Sequence, residues 1–538
     1  MKRLVEKKTG TYADTLEAVG TAGLLRDLGH RNVTILDHGP AFEILSEDLP
    51  FENWSMPVSP GFTYIWEKGK EKTRPPIDNL LDYEEERQKR DAVRKRREKT
   101  REALADQDVE LPEAHPEIGT ATALASMRKG WNGDRDLAHW VVRHPAETAS
   151  WIRGTLLGGP TPAGPAITNT QILNPISGKG VHAGKTEMRS AGSIPDELVD
   201  PFSEWMKLRG LWNAMLLYRD DEDFKFFVIE PANIQPYHLT LIRAELQKLP
   251  LWGGVKLDVQ ATLRCLEILL LHSDVVENAP GSIGIRGRRP RQVISGLRQA
   301  YFKSLGTAAA LMNDAMLPLA DWFAVEDRRD AESYLELIEE AIGKGGCLHS
   351  LQERNSDDGA ILQRYRQWLL TGTLDDLLEF HHVFAVHLMQ RLSGKQWARP
   401  FGTEGLNVLI GKAYKEQRMT EIIESDGFRS VARAIRNATV YAISRPNSSR
   451  EVRFGLAQKW KQKMKSGNEE FAAAIGEFVQ DYNWEATYRL KGKRHTVTTE
   501  QLDSLVALIQ ARGAEIVGGL LLAYGYARPK VETQADEE

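Results

Sequence analysis

Residues 12–45 read YADTLEAVGTAGLLRDLGHRNVTILDHGPAFEIL and decide the fold of the N-terminal region. Apolar and small residues recur at helical spacing in the first half, which predicts a helix over residues 12–28 that ends at Gly29. Residues 32–37 and 41–45 are short apolar runs on either side of the turn His38-Gly39-Pro40. This pattern is typical of two antiparallel strands joined by a tight turn. The N-terminal region is therefore predicted to combine helices and strands.

The rest of the chain is predicted to become progressively helical. Mixed charges over residues 83–105 indicate an exposed helix, and a helix over 202–218 precedes a buried strand over 224–229. After residue 235, helices are predicted over 239–249, 258–272, 291–324, 331–343, 359–370, 374–392, 405–425, 428–443, 449–465, 468–483 and 499–525. The predicted fold class is α+β, with a mixed α/β domain over residues 1–392 that carries a target-recognition loop. A C-terminal helical bundle is predicted over residues 393–538.

Length and cysteine content exclude several classes of protein. A chain of 538 residues and 60.5 kDa can bury a large core without disulfide bonds. The two cysteines, Cys265 and Cys347, lie far apart and fit a reducing compartment rather than a structural zinc site. No apolar run approaches the ~20 residues of a membrane span, and the basic start lacks the apolar segment of a signal peptide. We therefore predict a cytoplasmic protein with no membrane partner.

Positive charge is concentrated in two segments of an otherwise acidic chain. The net charge is −5, yet residues 427–494 carry 14 Lys and Arg against 6 Asp and Glu, and residues 281–303 carry 6 Lys and Arg and no acid. Such segments are typical of contact with a polyanion, and the alternative is an exposed helical face whose cations pair with acids. The candidate contacts to a nucleic-acid backbone are Arg286, Arg288, Arg289, Arg291, Arg429, Arg433, Arg436, Lys461, Lys463 and Lys465.

A glycine-rich loop, NPISGKGVHAGKTEMRS over residues 174–190, is the second candidate site. Its ending resembles a phosphate-binding P-loop, but position 179 is Lys where that motif requires Gly. Exposed backbone amides and flexible cations suit phosphate or groove contacts, while side-chain amides can read base edges. The candidate residues are Gln171, Asn174, Gly178, Lys179, Gly180, His182, Gly184, Lys185 and Arg189. A surface loop with incidental lysines is the alternative.

The sequence predicts no catalytic centre, metal or cofactor. Glu379 and His382 have the Glu-x-x-His spacing of di-iron bundles, but a second such pair is lacking. The Gly-x-Ser-x-Gly motif of a nucleophile elbow is also lacking. Packed or capping histidines are the simpler interpretation.

Five strings resemble the large subunit of type I CRISPR-Cas surveillance complexes (Cascade), in particular the I-B and I-A groups. They are TYADTLEAVGTAGLLRDLG (11–29), NPISGKG (174–180), FKFFVIEP (224–231), FRSVARAIRNATV (428–440) and FAAAIGEFVQDYNWEA (471–486). The resemblance implies a non-catalytic protein of antiviral defence that recognises the short motif flanking a DNA target (PAM recognition) and helps open the duplex into an R-loop. It implies motif contacts from Asn174 or Gln171 as the amide, from Gly178, Gly180 and Gly184, and from Lys179 or Lys185 as the cation. It also implies a C-terminal bundle along the displaced strand.

The resemblance also implies partners. These are a double-stranded DNA target and its displaced strand, a guide RNA ribonucleoprotein with backbone and small subunits, and a nuclease-helicase or a transposition module. Some relatives make the small subunit from an internal start, for which Met419 is the candidate here. Two other functions stay open. One is a nucleic-acid-binding scaffold outside CRISPR systems, and the other is a nucleotide-hydrolysing enzyme that uses the 174–190 loop.

Overall fold

The chain divides into two compact units, Met1–Leu319 and Ala320–Glu538. The computed structural model describes residues 1–56, 59, 61–66, 80–103, 137, 140–162, 164, 173, 200–220, 223–304, 309–444, 451–491 and 494–529. Unit 1 combines two antiparallel four-stranded sheets and one parallel pair of strands with helices, and unit 2 is helical. The predicted α+β class, with a helical C-terminal region, is confirmed.

The elements of unit 1 include the predicted N-terminal helix and the predicted strand pair. In chain order they are β1 (Lys2–Glu6), α1 (Tyr12–Asp27), β2 (Thr34–Asp37), β3 (Ala41–Leu45), β4 (Tyr64–Trp66), β5 (Leu80–Asp82), α2 (Tyr83–Ala103), α3 (Pro145–Leu157), α4 (Pro201–Ala214), β6 (Met215–Asp220), β7 (Asp223–Pro231), β8 (Asn233–Ile234), α5 (Pro236–Gln247), α6 (Val255–Leu271), β9 (Ile294–Ser304) and β10 (Ala309–Pro318). The Thr11 side chain caps α1 by accepting from the Ala13 amide, and Gly29 follows the helix at a φ of +99°. Strands β2 and β3 pair antiparallel as predicted, and sheet 1 has the order β1-β3-β2-β8.

The prediction of a helix over residues 291–324 is wrong, because this segment forms β9 and β10. Sheet 2 has the order β10-β9-β7-β6, with every pair antiparallel. The buried strand β7 needs a neighbour on each side, and β9 supplies the second one by pairing Phe226 with Ala300. Leu, Ala, Gln and Met in this segment favour a helix by local propensity, but pairing with a distant strand decides the outcome.

Helices α1 and α4 cross at backbone contact. A Cβ atom at Gly20 of α1 would lie 1.8 Å from the Met206 carbonyl oxygen, and one at Gly210 of α4 would lie 1.9 Å from the Leu16 oxygen. Thirteen of the 16 residues of α1 are buried. Small residues in the middle of α1 therefore allow the two helices to approach closely in the core of unit 1.

Unit 2 is organised around its last described helix. Its helices are α7 (Arg328–Ile342), α8 (Ser356–Thr371), α9 (Leu374–Ser393), α10 (Thr403–Val408), α11 (Thr420–Ile423), α12 (Asp426–Ala438), α13 (Val440–Ser444), α14 (Leu456–Lys465), α15 (Asn468–Trp484), α16 (Thr499–Arg512) and α17 (Ala514–Gly525). Helix α17 packs against α9, α12, α14 and α16 and is buried along most of its length. None of the helices in the described ranges combines the length and the apolar character that a membrane span requires.

The division between the units falls about 70 residues before the predicted boundary at 392/393. Helix α9 lies before that predicted boundary but packs against α17, which lies after it. The predicted helices over 428–443 and 499–525 are each interrupted, at Thr439 and at Gly513. Gly513 has a φ of +92°, which favours glycine and separates α16 from α17.

Candidate nucleic-acid interface

The predicted recognition loop lies outside the described residues. This applies to all nine of its candidates: Gln171, Asn174, Gly178, Lys179, Gly180, His182, Gly184, Lys185 and Arg189. The described chain resumes at Asp200, whose carboxylate accepts from the Ser203 amide and caps α4. The role of the loop in reading a DNA motif stays a prediction.

Two arginines of the basic segment 281–303 hold the loop before β9 in place. The Arg288 guanidinium donates to the carbonyl oxygens of Gly284 (2.8 Å), Asn233 (3.3 Å) and Gln292. Burial lowers the pKa of Arg288. Arg291 Nε donates to the Leu319 carbonyl at 2.6 Å. These two side chains therefore join the loop to neighbouring backbone, and a phosphate would have to compete with those bonds.

Arg286 and Arg289 of the same loop are exposed. The backbone amide of Arg286 donates to the Asp274 carboxylate at 3.2 Å, which fixes the chain at this position. The Arg286 guanidinium makes no hydrogen bond or ion pair with any residue that the structure describes. Arg286 can therefore bind an anion without losing a protein contact.

A cleft of about 450 Å³ adjoins this loop in unit 1. Its walls include Arg26 from the end of α1, Arg31 from the following turn, and Gln235 and Tyr237 from the start of α5. The Tyr237 hydroxyl donates to the Gly281 carbonyl at 2.8 Å, which connects the cleft to the basic loop. Both arginines are exposed and form no ion pair within the described ranges.

The charge of the cleft favours an anion. Glu47 is the one carboxylate among the residues that line it, and Asn32 Nδ2 donates to that carboxylate. Helix α5 begins here with Gln235 as its N-cap residue and with no side-chain cap, so its first amides add positive potential. Two guanidinium groups and a helix N-terminus suit phosphate oxygens. The sequence analysis missed this cleft, since Arg26 and Gln235 are about 200 residues apart.

The three arginines of α12 do not act as one row. Arg436 is half-buried and donates to the carbonyl oxygens of Ala527 and Tyr524, both at 2.7 Å, so it caps the C-terminal end of α17. Burial lowers its pKa. Arg429 Nε donates to the Ile423 carbonyl at 3.2 Å. Arg433 is exposed and has no hydrogen bond or ion pair among the described residues, so it is the member of the three available for a phosphate.

Two of the three candidate lysines in α14 are paired with acids. Lys461 forms an ion pair with Glu379, and Lys463 lies 2.8 Å from Glu470. Burial would raise the pKa of Glu379, but the hydrogen bond and charge of Lys461, with the charges of His382 and Arg364, together outweigh burial and lower the pKa. Lys465 is exposed and forms no ion pair with the part of the chain that the structure describes. Lys461 and Lys463 therefore fit the alternative interpretation of the basic segment, a helical face whose cations pair with acids.

The described residues contain no group of three or more His, Cys, Asp or Glu side chains that could hold a metal ion. Glu379 bonds Lys461, and the neighbouring His381 is fully buried. Comparison with protein-family models gave no match, and comparison with curated proteins gave no similar sequence. The basic surfaces described above and the resemblance in the sequence are therefore the grounds for a functional proposal.

Proposed function

We propose that this chain is the non-catalytic large subunit of an RNA-guided DNA surveillance complex of the CRISPR-Cas type. In this role it recognises the motif that flanks the target and assists opening of the duplex. The observation that carries the proposal is the cleft of unit 1, where Arg26 and Arg31 form no ion pair with any described residue, together with the exposed Arg286 of the loop that Tyr237 bonds. An acidic protein gains nothing in solubility from such a cluster, whereas a phosphate backbone would fit it.

The proposed division of labour follows from the chemistry of the two sites. Phosphate contacts orient a protein on a duplex but carry no sequence information, whereas contacts to base edges specify the sequence. We assign the first task to Arg26, Arg31 and Arg286, and the second to the amides and cations of the 174–190 loop. The proposed partners are the guide ribonucleoprotein with its backbone and small subunits, the DNA target, and a nuclease-helicase or a transposition module, all in the cytoplasm.

Isolation of the tagged protein from its own host tests the proposal directly. We expect a short RNA of uniform length and a backbone protein in several copies to accompany it. A chain that purifies alone and free of nucleic acid would contradict the proposal. Recovery with heterogeneous nucleic acid and no backbone protein would instead favour a binding scaffold outside CRISPR systems, for which the same cleft suffices.

Charge reversal in the cleft tests the assignment of residues. Arg31→Glu should weaken binding to duplexes of every flanking sequence alike and reduce the slope of log K against log salt by about 1. Lys248→Glu is the matched control, because Lys248 is exposed near the far end of α5 and the net charge changes equally. Asn174→Ala and Lys179→Ala should instead change which flanking motif is accepted. Equal effects of Arg31→Glu and Lys248→Glu would refute a specific role for the cleft.

A further inference from the structure

Two aromatic side chains face solvent where helix α15 ends. Trp484 is 52% exposed and Tyr488 is 70% exposed, and their ring centroids lie 5.8 Å apart at an interplanar angle of 38°. On the other side of α15, Phe471, Phe478 and Tyr482 are buried in the bundle. Large aromatic groups left together at the surface of a folded protein commonly mark a binding surface.

The backbone beneath these rings is a π-helical turn, Glu485–Arg489, which continues from α15. The buried Glu485 carboxylate accepts from the Glu451 amide at 3.0 Å and from the Arg494 guanidinium at 3.3 Å. Ala486, the next residue, is also buried. The buried Glu485 and Ala486 therefore anchor the turn to the bundle. π-Helical turns inside α-helices often coincide with functional sites.

Cations surround the two rings. The Arg489 guanidinium lies 5.3 Å from the centre of the Trp484 ring and also 3.7 Å from Glu451. Arg453 lies 3.2 Å from the same Glu451 carboxylate and 3.9 Å from Asp481, so two acids face these two arginines. Lys491 is exposed two residues further on, without an ion pair among the described residues. Arg453, Arg489 and Lys491 therefore outnumber Glu451 and Asp481 by one charge at this surface.

Arg433 of α12 lies at the same end of the bundle. Burial, and after it the charge of Arg433, lowers the pKa of His495, and His495 Nε2 is 3.2 Å from Ser430 Oγ of α12. Arg494, next to His495 in the chain, lies over the Tyr482 ring at 4.6 Å. Arg433, which has no hydrogen bond or ion pair with a described residue, therefore adds a cation at the end of the bundle that carries Arg494 and His495.

We propose that Trp484 and Tyr488, with Arg489, Lys491 and Arg433, form a stacking platform for single-stranded nucleic acid. This inference rests on the nucleic-acid binding in the proposed function and adds to it a defined site where bases stack. Exposed aromatic rings stack on unpaired bases of any sequence, while nearby cations meet the backbone phosphates. A duplex hides its base faces, so these rings discriminate in favour of a single strand. The surrounding cations favour this occupant over an apolar protein surface.

The test is fluorescence anisotropy with the full chain and two labelled probes. One probe is a thymine oligonucleotide of about 16 nucleotides, and the other is an abasic strand with the same number of phosphates. Trp484→Ala combined with Tyr488→Ala should weaken thymine binding by about tenfold or more and leave abasic binding and the salt slope unchanged. Trp484→Phe should retain most of the affinity, because the ring face remains.

Trp397→Ala is the matched control, since Trp397 is 54% exposed in the same unit but is not part of the platform. It should bind both probes as the unaltered chain does. Equal losses on both probes, or no loss on either, would overturn the inference. So would unchanged thymine binding together with the loss of a co-purifying protein, which would make this surface a protein interface. If the unaltered chain binds neither single strands nor duplexes, the proposed function fails as well. If it binds duplexes but not single strands, only the platform is refuted.

Discussion

Replacement of Gly20 by Ala should disrupt the crossing of α1 and α4 in unit 1. The added Cβ would lie 1.8 Å from the Met206 carbonyl oxygen, whereas ordinary contact begins at 3.4 Å. The helices would have to separate by about 1.6 Å, the difference between these two distances. A radial gap of ~0.5–1 Å already forfeits a quarter to a half of the dispersion energy between facing atoms. We therefore expect a loss of about 3 kcal/mol or more in the free energy of unfolding, at the upper end of the cost of overpacking.

Gly23→Ala provides the control in the same helix. Its Cβ would meet only Asn213 Nδ2, at 3.7 Å, which is ordinary contact. Alanine is favoured over glycine inside a helix by ~1 kcal/mol, so this variant should be neutral or slightly more stable. Urea unfolding followed by circular dichroism, with amide hydrogen exchange in α1 and α4 to assign the change to unit 1, measures both. Similar stabilities for the two variants would refute the close crossing of the helices.

Three further predictions concern charged and titratable groups. Arg436→Ala should lower the free energy of unfolding by about 3 kcal/mol because two half-buried carbonyl oxygens lose a charged donor. Arg433→Ala should change it by less than ~0.5 kcal/mol. Urea unfolding compares the two variants, and equal costs would contradict the capping role of Arg436. Lys207→Met should cost ~3–5 kcal/mol because it removes the buried cation 2.8 Å from the Glu204 carboxylate, and adding Glu204→Leu should restore part of the loss in the same assay. Burial lowers the pKa of His381 from 6.5 to about 3. As the pH falls below 6.5, the imidazole is therefore protonated in the unfolded chain but stays neutral in the folded chain. Between pH 7 and pH 5 the unaltered chain should therefore lose about 2 kcal/mol more stability than His381→Phe, and parallel pH profiles would argue against a neutral buried imidazole.

Local patterns were enough to predict α1 and the strand pair β2 and β3. Thr11, Gly29 and the turn at 38–40 are signals that act over a few residues, and the structure places each element where they indicate. Strand β9 could not be predicted in this way, because its partner β7 lies about 70 residues earlier and its own composition favours a helix. Non-local pairing decided that segment.

The candidate interface shows the same limit at the level of side chains. Arg433 and Arg436 are three residues apart on one helix, and their spacing alone assigns them the same role. The C-terminal end of α17, about 90 residues later in the chain, accepts two hydrogen bonds from Arg436, whereas Arg433 has no hydrogen bond or ion pair with a described residue. The cleft of Arg26 and Arg31 likewise exists only because α5 folds back beside α1. Sequence spacing predicts which cations share a helix, but not which of them remain available.

The position of α17 at the centre of unit 2 has a consequence for synthesis on the ribosome. Helices α9, α12, α14 and α16 all precede it in the chain, so each emerges before the helix that covers its apolar side. Unit 1 can complete its two four-stranded sheets once β10 has emerged, whereas unit 2 waits until α17 is translated. Nascent chains should therefore expose the apolar helices of unit 2 for longer than any part of unit 1. A premature stop codon just before residue 514 would spare unit 1, but would leave unit 2 unfolded and open to chaperones and proteases.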